Sequence, residues 1–319
     1  MSGAPRIGLI TNPLSRALRE GRHALGGGAT AGLLRAAPAT PEELRFVLGD
    51  FAARGVDLLV VQGGDGTLRE VLTAIPGSFE HPPAIALLAT GNTNLAARVL
   101  GTAGPGEKGL AALRRAAEGG TLRRRAAPVL EIGRPGLDEV PMRGFFFGAG
   151  AFTAAKQVAD EGLHRWGIHE GLAVALALAG TAARAIARRS HPLRTGFDMA
   201  MSVDGQPAPG GRRFLLLATP LERLMLGFWP FWGEGSGPLR WLDVAAPPRR
   251  LAAAIWAARW NTDGGRPRPW MPEAGYASGR ADRLSLRLGT AFVLDGEVYE
   301  PGPDGLILSA PSSVTFATP

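Results

Sequence analysis

Apolar runs and polar loops alternate along the first third of the chain. Residues 7–11 form a short apolar run closed by Asn12-Pro13, which predicts a buried strand followed by a turn. Thr40 precedes Pro41, with Glu43 three residues after Thr40: a capping box with proline at the first helical position. Leu44, Val47, Leu48 and Phe51 then recur at helical spacing, and Gly55 ends the helix. Residues 56–61 predict a second buried strand. Gly63-Gly64-Asp65-Gly66-Thr67 follows, then a helix with Leu68, Val71, Leu72 and Ile75 on one face, which Pro76-Gly77 is expected to stop. Residues 84–89 predict a third strand, left through Thr90-Gly91-Asn92-Thr93-Asn94 into another helix at Leu95. Strands alternating with helices predict an α/β, doubly wound parallel sheet, with ligands at the carboxyl ends of its strands. The loops at 12–15, 63–67 and 90–94 all leave such ends.

From about Ala126 the period changes. Candidate strands follow one another at 129–132, 142–147, 198–203, 213–218, 239–244, 283–288 and 291–294. Asp-Gly pairs at 204–205, 295–296 and 304–305 fit hairpin turns. Helical patterns interrupt at 170–189 and 251–260. The expectation is a nucleotide-binding α/β domain over 1–125. A mainly antiparallel β-sandwich domain follows over 126–319, whose last residues return to the first domain.

Composition narrows the classes. The chain has 319 residues with 45 Gly and 26 Pro, a turn-former content that invites a low-complexity reading. The 45% hydrophobic content, distributed in runs, excludes disorder throughout. With no cysteine there are no disulfides, thiolate metal sites or cysteine nucleophiles. The net charge of +7 is nearly all arginine, since Lys108 and Lys156 are the only lysines. Arginine suits phosphate and carboxylate, but with this much alanine it is also what a GC-rich bacterial genome gives. No aromatic-interleaved basic tract points to nucleic acid; Arg114-Arg115 and Arg123-Arg124-Arg125 read as solvated faces. The opening residues lack an apolar signal core, and the longest apolar run, 171–183, is too short to span a bilayer. A cytoplasmic protein, peripheral to the inner membrane, is expected. His164 and His169 lack a zincin spacing.

A strand, Gly-Gly-Asp-Gly-Thr and a helix together make a phosphate-binding design. Glycines let backbone N–H groups approach an anion, and the helix dipole favours it. The Walker lysine and the dinucleotide spacing are both missing. Asp65 would repel a phosphate unless a cation such as Mg²⁺ bridges them; otherwise it is a capping residue in a tight turn.

These residues resemble the diacylglycerol kinase catalytic domain family, which includes bacterial diacylglycerol kinases and sphingosine and ceramide kinases. Gly63 to Thr67 with Glu70-Val71 is similar to its signature. Thr11-Asn12-Pro13-Leu14-Ser15 resembles its opening element and Thr90 to Ala96 its third loop. Gly148-Ala149-Gly150-Ala151-Phe152 resembles the start of its second domain, and Asp295-Gly296-Glu297 its late Asp-Gly-Glu. The same glycine loop occurs in NAD kinases and phosphofructokinases; the late Asp-Gly-Glu favours the lipid branch. The chain departs from the pattern at Arg16 and Thr153, in the Thr-Gly-Asn-Thr-Asn order, and at 233–239. There the family's Asp-Asp-Gly element, which helps hold a structural metal, leaves only Glu234 as a substitute.

The resemblance implies ATP held by Asn12, Pro13, Ser15, Thr40, Gly63, Gly64, Asp65, Gly66, Thr67, Glu70, Thr90, Gly91, Asn92, Thr93 and Asn94. It implies Glu297 as the base toward a lipid hydroxyl, with Asp65 and Asp295 organising Mg²⁺ and that base. Two rivals remain: a kinase for a soluble substrate such as a nucleotide, and a catalytically silent nucleotide- or lipid-binding regulator. Trp229 and Trp232, flanking Pro230, fit a membrane interface, an acyl-chain entrance or a packed core. The 170–189 helix, ending in Arg184, Arg188 and Arg189, fits a lipid pocket, an anionic surface or a plain dipole effect. A membrane-surface contact is expected, and a homodimer is left open.

Overall fold

In the computed structural model of this chain the described residues are 5–13, 15–21, 23–90, 94–162, 192–224, 228–259 and 268–319. Gly91, Asn92 and Thr93, the histidines at 164 and 169, and the expected helix at 170–189 lie outside them. The chain divides into two compact units, Met1–Ala127 with Ser312–Pro319, and Pro128–Pro311.

The first unit contains β1 (Ile7–Thr11), β2 (Leu34–Ala36), β3 (Leu58–Gly63) and β4 (Ala84–Ala89), paired in parallel in the order β4-β3-β1-β2. β2 lies on one side of β1 and β3 on the other. The winding therefore reverses between β1 and β3, which opens a crevice beyond their carboxyl ends. Its helices are α1 (Arg16–Arg19), α2 (Pro41–Ala53), α3 (Asp65–Ser78), α4 (Leu95–Leu100) and α5 (Gly106–Glu118). Leu58 and Val60 pack with Leu110 and Leu113 of α5. Leu59 and Val61, which alternate onto the opposite face, are equally buried. Cover on both faces explains why β3 reads as one continuous apolar run. α3 does not stop at Pro76-Gly77 but runs to Ser78. Pro76 sits in the last turn, where its missing N–H forfeits one bond, to the Leu72 carbonyl.

β5 (Arg123–Gly133) leaves the first unit. The second unit adds β6 (Met142–Gly144), β7 (Phe147–Gly150), α6 (Ala151–Gly162), β8 (Phe197–Val203), β9 (Gln206–Pro207), β10 (Gly211–Thr219) and β11 (Leu239–Ala245). Then come α7 (Leu251–Arg259), α8 (Trp270–Glu273), β12 (Tyr276–Ala281), β13 (Arg283–Leu288), β14 (Phe292–Leu294) and β15 (Glu297–Tyr299). Neighbouring strands here run antiparallel. β16 (Leu306–Thr318) begins beside β13 and ends in the first unit, where Phe316 lies parallel to Ile85 of β4. The single strand expected at 142–147 is broken at Phe145-Phe146, and what holds that break is part of the candidate site.

Phe147, Leu216, Leu284, Phe292 and Leu308 lie in one core of the second unit. Burying each such side chain contributes about 1.5–3 kcal/mol. A second core joins Phe214, Leu217, Trp229, Phe231, Trp232, Leu242, Val244 and Met271. Trp229 and Trp232 are 8% and 9% exposed, so they fill this core and are not a membrane interface. Their rings sit among apolar partners, with the Arg240 guanidinium 5.6 Å above the Trp229 ring, and the Trp229 backbone N–H donates to the Ala258 carbonyl at 2.8 Å. Arg213 and Asp243 form a buried ion pair at 3.1 Å. Burial pushes the Asp243 carboxyl up to about 6 against the opposing pull of Arg213.

Candidate functional site

The carboxyl ends of β1 and β3 are tied together. The Asn12 N–H donates to the Gln62 carbonyl at 3.1 Å, and its Nδ2 donates to Thr67 Oγ1 at 2.8 Å. The Ser15 N–H donates to the Asn12 carbonyl at 3.1 Å, closing the turn that contains Pro13. A Cβ on Gly63 would stand 2.5 Å from Thr67 Oγ1, so this contact requires glycine. Gly64 caps α3 in an extended conformation, with no side chain filling the helix start. The N–H groups of Asp65, Gly66 and Thr67 therefore have no intrahelical acceptor. Together with the dipole of a 14-residue helix they form an anion cradle at the switch point.

Asp65 engages backbone groups 30 and 31 residues away. Its Oδ2 accepts the Leu95 N–H at 2.9 Å and its Oδ1 accepts the Ala96 N–H at 3.2 Å. It caps α4 from a distance, in place of the N-cap residue Asn94, which has φ 47° and no side-chain cap bond. Burial is the largest influence on this carboxyl and raises its pKa; the two backbone bonds and Arg98 act in the other direction. Asp65 thus anchors the exit of the 90–94 loop to the glycine loop. The Thr90 N–H adds a bond to the Gly63 carbonyl at 3.1 Å. Thr40 caps α2, accepting the Glu43 N–H at 3.2 Å, while Glu43 accepts the Ala39 N–H at 2.7 Å. The Thr40 hydroxyl proton is still available to donate. Glu70, on the first turns of α3, is half-exposed beside Arg69 at 3.7 Å.

In the second unit, Asp295 and Gly296 have φ of 48° and 91°, the left-handed pair of a tight two-residue hairpin between β14 and β15. The Asp295 carboxylate accepts the Phe145 N–H at 3.0 Å and the Phe146 N–H at 2.8 Å. This bond pair holds the break between β6 and β7, and Thr219 adds to it by donating Oγ1 to the Phe145 carbonyl at 2.6 Å. Gly144 is needed beside it, since a Cβ there would collide with Asp295 Oδ2. Asp295 is therefore a backbone clip. Glu297 opens β15 opposite Leu294 with its side chain exposed. Glu234 is exposed between Gly233 and Gly235, with its carbonyl accepting the Arg280 N–H at 3.4 Å. Among the described residues no group of three or more His, Asp or Glu could hold a metal ion, so neither Asp65 nor Glu234 belongs to such a cluster.

The sequence reading missed the backbone donors of Phe145, Phe146, Leu95 and Ala96, and the hydroxyl of Thr219. Backbone N–H groups carry no residue signature. The unexplained Phe-Phe between two short strands was the available signal for the first pair.

Residues 31–124 match the model of the diacylglycerol kinase catalytic domain. That span holds Thr40, the glycine loop and the 90–94 loop, and ends before Asp295 and Glu297. The chain is similar to a crystal structure of a candidate diacylglycerol kinase from Bacillus anthracis str. Sterne, with TM-score 0.63 and 18% identity, covering 99% of this chain and 96% of that one. It is also similar to a diacylglycerol kinase structure from the same organism, with TM-score 0.57 and 16% identity, covering 99% and 97%. At these identities the likeness is one of fold: an α/β architecture with a mixed sheet and helices. No curated protein matches the sequence.

Proposed function

With residues 31–124 matching a diacylglycerol kinase catalytic domain, we propose that the protein is a lipid kinase that transfers the γ-phosphoryl group of ATP to a lipid hydroxyl. The N–H groups of Asp65, Gly66 and Thr67, the Asn12 turn and the Thr40 hydroxyl bind the triphosphate. The lipid oxygen forms a bond to the γ-phosphorus as the bond to the ADP oxygen breaks, and the hydroxyl proton passes to the Glu297 carboxylate. Asp295 and Gly296 position Glu297 by fixing the hairpin that carries it.

The observation that carries the lipid assignment is a cavity of about 360 Å³ within the second unit. Leu217, Trp229, Trp232, Leu242, Val244 and Met271 line it, with Arg268 as its one charged lining residue among those described. Such a predominantly apolar wall suits a hydrocarbon chain better than a nucleotide, with Arg268 as the group that could meet a charged end.

The resemblance also attaches Mg²⁺ to Asp65. Each Asp65 oxygen accepts one backbone N–H and keeps a further lone pair, so Asp65 would still be able to hold Mg²⁺ beside a bound triphosphate. It also holds the α4 entry against the cradle.

The test is incubation with γ-labelled ATP and Mg²⁺ against diacylglycerol and a sphingoid base in detergent micelles, and separately against water-soluble alcohols and nucleosides. Label in the organic phase is expected. Label confined to a soluble product would overturn the lipid assignment, and nucleotide binding with no transfer would overturn the kinase reading.

A further inference from the structure

Helix α7 has two unlike faces. Leu251, Ala254, Ile255, Ala257 and Ala258 turn inward and wall the apolar cavity. Ala252, Ala253, Trp256 and Arg259 turn outward, and Trp256 is 63% exposed. The spacing follows from the helix period, since 252, 256 and 259 fall on one side. Exposed arginines stand at both ends: Arg249 and Arg250 before the first turn, Arg259 in the last, and Arg268 beyond it at the cavity. Two exposed acids, Glu222 and Glu273, lie on the segments that flank α7 in the same core.

An exposed large ring is not by itself a docking surface. Phe46 on α2 is 80% exposed, yet Glu42, Glu43 and Asp50 lie within one helical turn of it, and Arg45 and Arg54 are paired with Glu42 and Asp50. An anionic surface finds no excess of positive charge there and is attracted at Trp256. Tryptophan favours the headgroup level of a bilayer, and arginines around it add attraction to anionic lipid. A long apolar substrate resides in the bilayer, so a cavity that receives it needs a wall at the membrane.

We infer that the outer face of α7 docks on an anionic phospholipid surface, with Trp256 entering the headgroup layer and Arg249, Arg250 and Arg259 pairing with lipid phosphates. The inference rests on the lipid-kinase reading for its purpose, but its test does not need turnover.

The whole chain is sedimented with vesicles of phosphatidylcholine alone and with phosphatidylglycerol added, without ATP or substrate. Binding is expected only to the anionic vesicles and is lost in high salt. Each of Arg249→Ser and Arg250→Ser lowers the partition coefficient about fivefold. Trp256→Ala lowers it further, and Phe46→Ala leaves it unchanged. Circular dichroism establishes that each variant is folded. Trp256→Phe should lose part of the fluorescence quenching by brominated lipid. In detergent micelles Trp256→Ala keeps wild-type phosphoryl transfer, which separates docking from chemistry. If Trp256→Ala and the arginine variants sediment as wild type does, the docking face is wrong, whatever the kinase assay shows.

Discussion

The second unit contains two hairpins built alike. Asp204-Gly205 has φ of 50° and 81°, and Asp295-Gly296 has 48° and 91°. In each the aspartate reaches across to two consecutive backbone N–H groups of a distant segment. Asp204 takes those of Asp282 and Arg283 at 2.9 and 2.8 Å; Asp295 takes those of Phe145 and Phe146. The turn and the aspartate are therefore an architectural device used twice. The difference comes one residue later, where the first hairpin continues with Gln206 and the second with Glu297. Both side chains are exposed, but only the carboxylate can take a proton. Asp65, at the first position of α3, likewise takes two consecutive N–H groups, those of Leu95 and Ala96, without a hairpin turn. The comparison gives the aspartates a backbone-positioning part; under the proposed function, Glu297 is the residue that sets the second hairpin apart.

The comparison breaks most visibly at Asp295. Asp295→Ala leaves the buried Phe145 N–H and its neighbour without an acceptor and should cost about 3 kcal/mol in urea unfolding. Transfer falls with it because Glu297 is two residues away. Asp295→Asn keeps one acceptor oxygen and should recover part of both losses. Asp204→Ala, on an exposed hairpin where water can replace the carboxylate, should cost about 1 kcal/mol or less and leave transfer intact. Equal effects of the two alanine variants on transfer would mean that the second hairpin has no special role.

These stabilities must be read against the unit's own pH dependence. Asp243 has a folded pKa raised to about 6. Its stabilising contribution is complete below the unfolded value near about 4 and is lost as pH rises through about 6. The slope is at most about 1.4 kcal/mol per pH unit in that window. Asp243→Asn should flatten the curve of urea midpoint against pH between those values; an unchanged curve would show that Asp243 does not titrate there. The smallest expected effect is that of Gln206→Glu. It makes the first hairpin chemically like the second, and should change neither stability beyond about 0.5 kcal/mol nor transfer.

What could be read in the sequence follows from how local its cause is. Two of the three Asp-Gly pairs were legible as hairpins because left-handed φ at two adjacent positions selects those residues, whereas at Asp304-Gly305 only the glycine is left-handed and closes a turn from Gly302. The capping box at Thr40 was legible because both partners lie within four residues. The glycine loop was legible because a buried strand, a run of glycines and an amphipathic helix are contiguous. Asp65 was not, because its partners lie 30 and 31 residues away and are backbone atoms. Trp229 and Trp232 fitted more than one environment until their partners from 214 to 276 were assembled. β16 escaped notice because Pro311 and two serines interrupt its apolar alternation, although it runs for 13 residues. α5 was missed although Leu110, Leu113 and Ala117 are at helical spacing, because its glycine start and arginines resemble a linker.

The most direct measurement compares wild type with Glu297→Gln for two quantities in the same preparations: calorimetric affinity for ATP, and the rate of label transfer from γ-labelled ATP to diacylglycerol in micelles. The substitution gives the second hairpin the amide of the first without altering its turn. The account predicts unchanged ATP affinity and transfer reduced by at least about 100-fold. Full transfer by Glu297→Gln would contradict it, because the feature that separates the two hairpins would then do no chemistry.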